Sequence, residues 1–291
     1  MSYNGAEMSV QFVERLHQGW AQSLEVKGEL LVDERSEFQH IRIFDNDAVG
    51  RVLVLDDIVQ LTERDEATYS EMLVHVPAYA MGGLKRVMIV GGGDGAVAEE
   101  VLKHSSVEAC DLVDIDGRVV ELARDFFPAV HKGAFDDDRL TVHIADAFQF
   151  LDDPAVAGRY DLIIADRPDP VGPAAVLFET RFYDLVKRAL SPGGVAVFQT
   201  GVPHMQGGEL ADTVRQHRES FDRSGVYLTV TPTYIGGFMA LSWGSRGFDL
   251  SDPAPVAQNF AAAPVDTDYY TPAIHTAAFA LPRFIERLVA G

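Results

Sequence analysis

Cysteine is nearly absent: the 291-residue chain has one, Cys110. A lone thiol rules out an intramolecular disulfide and a cysteine-built metal site, and it suits a reducing cytoplasm. Positive charge is also scarce. Lys and Arg number 24 against 44 Asp and Glu, giving a formal net charge of −20 and a pI of about 4.7. No basic run interrupts this balance, which argues against nucleic acid or an anionic membrane as partner and fits a cationic small molecule better; an acidic surface serving solubility alone is the plainer alternative. No uninterrupted apolar run reaches membrane-spanning length, and no basic-then-apolar leader opens the sequence, so a cytoplasmic protein is expected. Internal repeats and low-complexity tracts are missing too. What remains is ordinary globular composition, 47% hydrophobic and 23% charged, sufficient for one large domain or two unequal ones.

The chain is organised around Val87-Met88-Ile89-Val90-Gly91-Gly92-Gly93-Asp94-Gly95-Ala96-Val97. An apolar strand pattern enters a glycine cluster and leaves as an amphipathic helix, with Val97 and Val101 on one face. Gly91 and Gly93 are the positions where a bound ligand would approach the backbone. Asp94 is the sharper clue. A turn built to cradle phosphate should avoid an added negative charge, so this one favours a cationic or phosphate-free adenosyl ligand. A glycine turn with no ligand is the plainer alternative.

Before that stretch, residues 28–61 read as short strands and turns. Ile41 and Ile43, then Val52 and Val54, alternate at period two around a turn at 46–50. Gln60-Leu61-Thr62-Glu63-Arg64-Asp65-Glu66 is a dense polar cluster beside Tyr69, and it leads into a helix through Met72, Leu73 and Val76. Its charges fit a solvated helix start as well as a ligand site. After it, strands at 87–90, 109–113, 140–144, 160–165 and 195–199 alternate with helical patterns. Ser191-Pro192-Gly193-Gly194 closes the helix before the last of these. The expected fold is α/β: a Rossmann-like, mostly parallel sheet over residues 79–291, preceded by a small antiparallel β domain over residues 1–78.

The carboxylates share a position in this pattern. Asp94, Asp114, Asp116, Asp146 and Asp166 each follow the carboxyl end of a predicted strand, where open α/β sheets bind ligands. Asp114 and Asp116 are the two candidates for ribose hydroxyls, and Asp146 sits where an adenine amino group could be read. Any one of them would also serve as a helix cap. The set lacks a phosphate-binding lysine, so the sheet is read as the S-adenosylmethionine-dependent transferase type, whose ligands carry a sulfonium that carboxylates favour. Asp166-Arg167-Pro168-Asp169-Pro170-Val171-Gly172-Pro173 then holds two more acids on a backbone stiffened by proline. An alkyl amine arrives protonated, with a pKa of about 10.4, and must lose that proton to become a nucleophile. A carboxylate within hydrogen-bond reach can accept it, while the second acid holds an ammonium. A rigid loop with solvated acids is the alternative.

Several stretches together resemble the spermidine synthase (polyamine aminopropyltransferase) family of bacterial type, over nearly the whole chain. They are Glu37 to Ile41, Val54-Leu55-Asp56, Gln60 to Glu66, Gly91 to Gly95, Asp169 to Pro173, Pro232 to Gly237, and Tyr269-Tyr270-Thr271-Pro272 with His275 and Phe279 to Pro282. The resemblance implies a homodimer or homotetramer, no metal, and decarboxylated S-adenosylmethionine as co-substrate. Its aminopropyl group would pass to putrescine or a related amine, giving spermidine or an analogue and methylthioadenosine. By motif position, Gln39, Asp94, Asp114 and Asp146 would hold the donor, and Asp166 would be the base. Asp169, Tyr69, Gln60, Tyr234 and Gln199 would shape the amine pocket.

The chain departs from the family pattern at four places. Arg167 and Pro168 replace the small residues between the paired aspartates. Asp114 stands where glutamate is usual, Ser70 where histidine is common in the bacterial branch, and Asp57 where glycine is usual. Arg167 has three placements open to it: toward solvent, against a nearby acid, or toward a carboxylate on an unusual acceptor. The last motivates a second reading, the same fold using intact S-adenosylmethionine for methyl or aminocarboxypropyl transfer. A catalytically silent binding subunit is a third.

Overall fold

The structure, a computed structural model, describes residues 10–167 and 177–290. Its first part is antiparallel. Strands β1 (Gln11–Glu14) and β2 (Gln22–Glu25) form a hairpin, and β3 (Lys27–Arg35), β4 (His40–Asn46), β5 (Gly50–Leu55) and β6 (Ile58–Thr62) form a four-stranded meander. Alternation in β4 and β5 sends Ile41, Ile43 and Leu53 to one face and Phe44, Val52 and Val54 to the other. The first face packs on Val119, Leu122 and Phe127 of the larger unit, the second on Phe12 and Val26 of the hairpin. Both faces are therefore covered, although the sequence reading placed no strand before residue 28. At the β5–β6 turn Asp56 and Asp57 have φ of 47° and 67°. Aspartate tolerates this left-handed region better than most residues, so the usual glycine is dispensable, and the Asp57 carboxylate pairs with Arg42.

Helix α1 (Ala67–Met81) follows, and the boundary expected after residue 78 falls inside it. Its Met72, Leu73 and Val76 share one apolar cluster with Val87 and Ile89 of the strand that follows. From there β7 (Arg86–Gly91), α2 (Ala96–Leu102), β8 (Ala109–Asp114), α3 (Gly117–Phe126), α4 (Pro128–His131), β9 (Leu140–Ile144), α5 (Ala147–Asp152), β10 (Tyr160–Asp166), α6 (Thr180–Ala189) and β11 (Leu190–Gln199) alternate. Helix α7 (Gly207–Ser220) leads to the strands β12 (Arg223–Val230) and β13 (Phe238–Ser245), and α8 (Val256–Ala262), α9 (Pro272–Ala278) and α10 (Arg283–Ala290) close the chain.

The larger sheet has seven strands in the order β12-β13-β11-β10-β7-β8-β9. The run from β11 to β9 is parallel, and β13 and β12 add an antiparallel edge. This is the mostly parallel, Rossmann-like sheet expected from the alternation. Helices cover both faces, so central strands are apolar throughout: Val87 to Val90 and Leu162 to Ala165 are all buried. One boundary differs. Residues 191–194 do not precede the last parallel strand but lie within β11 as an irregularity, since Tyr160 pairs with Leu190 and Leu162 with Val195. Gly193, at φ of 79°, lets the chain step out and rejoin.

Candidate active site

Strand order sets out the polar side chains in a row. Gln199 ends β11, Asp166 ends β10, Asp94 lies in the turn after β7, Asp114 ends β8, and Asp146 follows β9. The crossovers reverse direction between β10 and β7, the place where an open α/β sheet forms its ligand crevice. A cavity of about 500 Å³ lies there, lined by all five of these residues and by Gln39, Gln60, Tyr69 and Tyr234 from the flanking segments.

The glycine turn is required by close approach. Gly91 has φ of 79°, and a Cβ there would come 2.0 Å from the Asp166 carbonyl oxygen. At Gly93 a Cβ would meet the Asp114 carboxylate at 2.7 Å, and the Gly93 N–H instead donates to that oxygen at 3.0 Å. The turn thus brings the ends of β7, β8 and β10 together.

At one end of the cavity the structure separates the two ribose candidates. Asp114 lines the cavity, and burial pushes its carboxyl up to about 6. Asp116 does not line it. Its Oδ2 accepts Ser36 Oγ at 2.6 Å and Gln39 Nε2 at 2.8 Å, and its Oδ1 caps α3 by accepting the Arg118 N–H at 3.0 Å. Against the expectation that Asp116 binds the donor stands the use of its oxygens in capping a helix and fastening the N-terminal sheet to the larger unit. Gln39 lines the cavity with its Nε2 already committed to Asp116. Asp146 does both jobs, capping α5 through the Phe148 N–H at 2.8 Å while facing the cavity.

The centre of the cavity is strongly acidic. Burial, then the charge of Asp166, pushes Asp94 up to about 7. Burial pushes Asp166 up to about 6, opposed by the Tyr69 hydroxyl, which donates to its Oδ1 at 2.7 Å. Tyr69 is itself held well above the usual phenol range by burial and by Asp166, so it stays a donor. Carboxylates crowded out of water in this way are short of cations, and a cationic ligand supplies them.

At the other end, the Tyr69 ring meets Tyr234 edge-on at 5.8 Å, and the Tyr234 hydroxyl donates to the Gln60 carbonyl at 2.6 Å. The polar cluster before α1 is not a solvated helix start. Asp65 is buried, accepts Thr62 Oγ1 at 2.6 Å, and takes both the N–H and the hydroxyl of Thr233 at 2.8 Å, so it sets the turn that carries Tyr234. Glu66 lines the cavity, a role the sequence reading missed. Burial pushes it up to about 7, and Ser70 Oγ donates to it at 2.7 Å. Its place one helical turn before Tyr69 was the available signal. Asp169 lies outside the described residues.

Arg167 lines the cavity and does not take the solvent placement. It is 2% exposed, and its guanidinium donates to the carbonyls of Gln199 and Leu177 and to the Tyr183 hydroxyl. Among the described residues its hydrogen bonds go to no acid.

Comparison with known proteins decides the family. The spermine/spermidine synthase domain matches residues 66–252, and the spermidine synthase tetramerisation domain matches residues 11–63. The chain belongs to the spermine/spermidine synthase family. It is 48% identical over 280 residues to the polyamine aminopropyltransferase of Ruegeria sp. (strain TM1040), covering 94% of this chain and 96% of that one. Polyamine aminopropyltransferase 1 of Pseudomonas aeruginosa is 42% identical over 276 residues, with the same coverage. A crystal structure of spermidine synthase in complex with the transition-state analogue AdoDATO superposes with a TM-score of 0.92 at 31% identity, covering 100% of this chain and 98% of that one. The Thermotoga maritima spermidine synthase superposes with a TM-score of 0.90 at 32% identity, covering 98% and 95%. The chain is an enzyme of this family, and its class of reaction is aminopropyl transfer. Among the described residues no cluster of His, Cys, Asp and Glu is built to hold a metal ion, and no helix is long and apolar enough to cross a membrane.

Proposed function

We propose that the chain transfers the aminopropyl group of decarboxylated S-adenosylmethionine to putrescine or a related short diamine, releasing methylthioadenosine. The observation that carries this reading is that Asp94 and Asp166 line one cavity, both pushed above the ordinary carboxylate range. The donor brings a sulfonium and an ammonium, and the acceptor brings two ammonium groups. Each cation restores charge that burial disfavours at these acids.

The roles follow from the row of strand ends. Asp114, Asp146 and Gln39 hold the adenosine, with the backbone of Gly91 and Gly93 close beneath it. Asp94 takes the aminopropyl ammonium. Gln60, Tyr69, Tyr234 and Gln199 shape the acceptor pocket, with Asp169 assigned there by motif alone. Asp166, oriented by Tyr69, accepts the proton of the attacking nitrogen. The nitrogen lone pair forms a bond to the methylene next to sulfur, the carbon–sulfur bond breaks, and its electron pair stays on sulfur, discharging the sulfonium. Positioning and charge complementarity supply the acceleration.

Intact S-adenosylmethionine fits less well. Its extra carboxylate would meet Asp94, and Arg167, the only Arg or Lys among the described lining residues, has its donors on carbonyls and a phenol. No observation favours a silent binding subunit. Assembly as a homodimer or homotetramer is supported by the tetramerisation-domain match and by Leu30 and Leu31, apolar yet exposed on β3. A cytoplasmic location suits the single, buried thiol of Cys110. The test is to incubate the enzyme with each donor and a panel of amines and identify products by mass spectrometry. Methylthioadenosine formed only from the decarboxylated donor supports the proposal, and S-adenosylhomocysteine would overturn it.

A further inference from the structure

Arg167 occupies a box of aromatic rings. Its guanidinium lies 3.5 Å from the Phe178 ring centre, 5.4 Å from that of Phe198 and 5.5 Å from that of Tyr183. Nε and Nη2 both donate to the Gln199 carbonyl at 3.4 Å, Nη2 also to the Tyr183 hydroxyl at 3.3 Å, and Nη1 to the Leu177 carbonyl. One planar group thereby ties the end of β10, the end of β11, and the turn entering α6. A fork of donors flanked by rings is a geometry that arginine satisfies and lysine does not.

The residue it holds is unfinished on its other side. Gln199 lines the cavity and is 8% exposed, yet its side-chain Oε1 has no hydrogen-bond partner among the described residues. A buried amide oxygen left in this state is a ready acceptor for a ligand N–H. The donors of the guanidinium go to carbonyls and a phenol, none of them to Asp166.

We propose that Arg167 is a positioning residue for the acceptor: it fixes Gln199 at the carboxyl end of β11 so that Oε1 meets an ammonium of the incoming diamine. This rests on the aminopropyltransferase reading of the same cavity.

The test is steady-state kinetics of the full chain with decarboxylated donor and putrescine, for wild type, R167M, R167K, Q199A and R167M/Q199A. Methionine fills the box without donors, and lysine keeps the charge without the fork. Both single variants at Arg167 should raise the putrescine KM roughly tenfold, the scale of one hydrogen bond to a charged group, with donor KM changed by less than about twofold. The acid limb of the pH profile should not move. In the Q199A background R167M should add less than about twofold, since the two residues act as one unit. An unchanged putrescine KM, a parallel rise in donor KM, restoration by R167K, or a full further loss in the Q199A background would each overturn the inference. If R167M does not fold, R167K carries the same comparison. A wild type that turns over while R167M keeps its putrescine KM sinks the inference alone, whereas a wild type inactive with every diamine sinks the activity reading as well.

Discussion

The Tyr69 hydroxyl donates to Asp166 Oδ1 at 2.7 Å, and this bond joins the first helix to the end of β10 across the cavity. It does two things at once. It fixes the carboxylate, leaving the other oxygen for a substrate proton, and it favours the ionised form of a group that burial would otherwise keep protonated. A base with a pKa pushed up to about 6 is ionised at neutral pH and still a better proton acceptor than an exposed aspartate.

Asp166→Asn removes the proton acceptor and keeps the shape. Turnover should fall by roughly 10²- to 10⁴-fold, the range for loss of a positioned general base, while donor binding changes little. Single-turnover rates with calorimetric donor titration check this, and near-normal turnover would remove Asp166 from the role.

Tyr69→Phe should act through the same carboxyl. The phenol lowers the Asp166 pKa, so its loss moves the acid limb of kcat/KM to higher pH. Activity should therefore fall more at pH 6 than at pH 8. A uniform loss across that range would mean that Tyr69 shapes the pocket without tuning the base.

Much of this site was legible in the sequence because strand ends are. The apolar run into Gly91 and the acids after successive strands mark one edge of a parallel sheet, and Asp94, Asp114, Asp146 and Asp166 do line one cavity there. Side-chain direction was not legible. Asp114 and Asp116 are two residues apart, yet one faces the cavity and the other caps α3 and grips Ser36 and Gln39, contacts that cross some 80 residues of sequence. Arg167 likewise follows Asp166 directly, and its aromatic box draws on Phe178, Tyr183 and Phe198, which no local pattern connects to it. The β1–β2 hairpin went unseen because strands of four residues carry too few positions for alternation to register.

Asp116→Ala tests the distinction between anchor and ligand. It strips the α3 cap and the two bonds to Ser36 and Gln39, so stability should drop by about 2–4 kcal/mol, from a lost cap plus buried hydrogen bonds to a charged group. Donor affinity at saturating stability should weaken only modestly, through Gln39. Denaturant unfolding alongside donor titration separates the two, and a large affinity loss without destabilisation would return Asp116 to the ligand set.

Asp94→Asn should stabilise the ligand-free protein while crippling it. The carboxyl of Asp94 ordinarily titrates near 3.8, and in the fold burial and Asp166 push it up to about 7. A folded value above the unfolded one means that the folded chain holds a proton the unfolded chain has released. The associated stability is present below about 3.8 and lost as pH rises through about 7. Asparagine carries no such dependence. At pH 8 the variant should melt a few degrees higher than wild type, about 1 kcal/mol or more, with the gap closing toward pH 4. Donor affinity should move the opposite way: in wild type it tightens as pH rises through about 7, because the ammonium needs an ionised partner, and in the variant it is weak and flat. Melting curves and calorimetric titrations at matched pH values give both readouts. A destabilised variant that still binds donor tightly would show that Asp94 serves the turn rather than the ligand, since its only hydrogen bond to the protein among the described residues is the one it accepts from the Ala96 N–H at 2.8 Å.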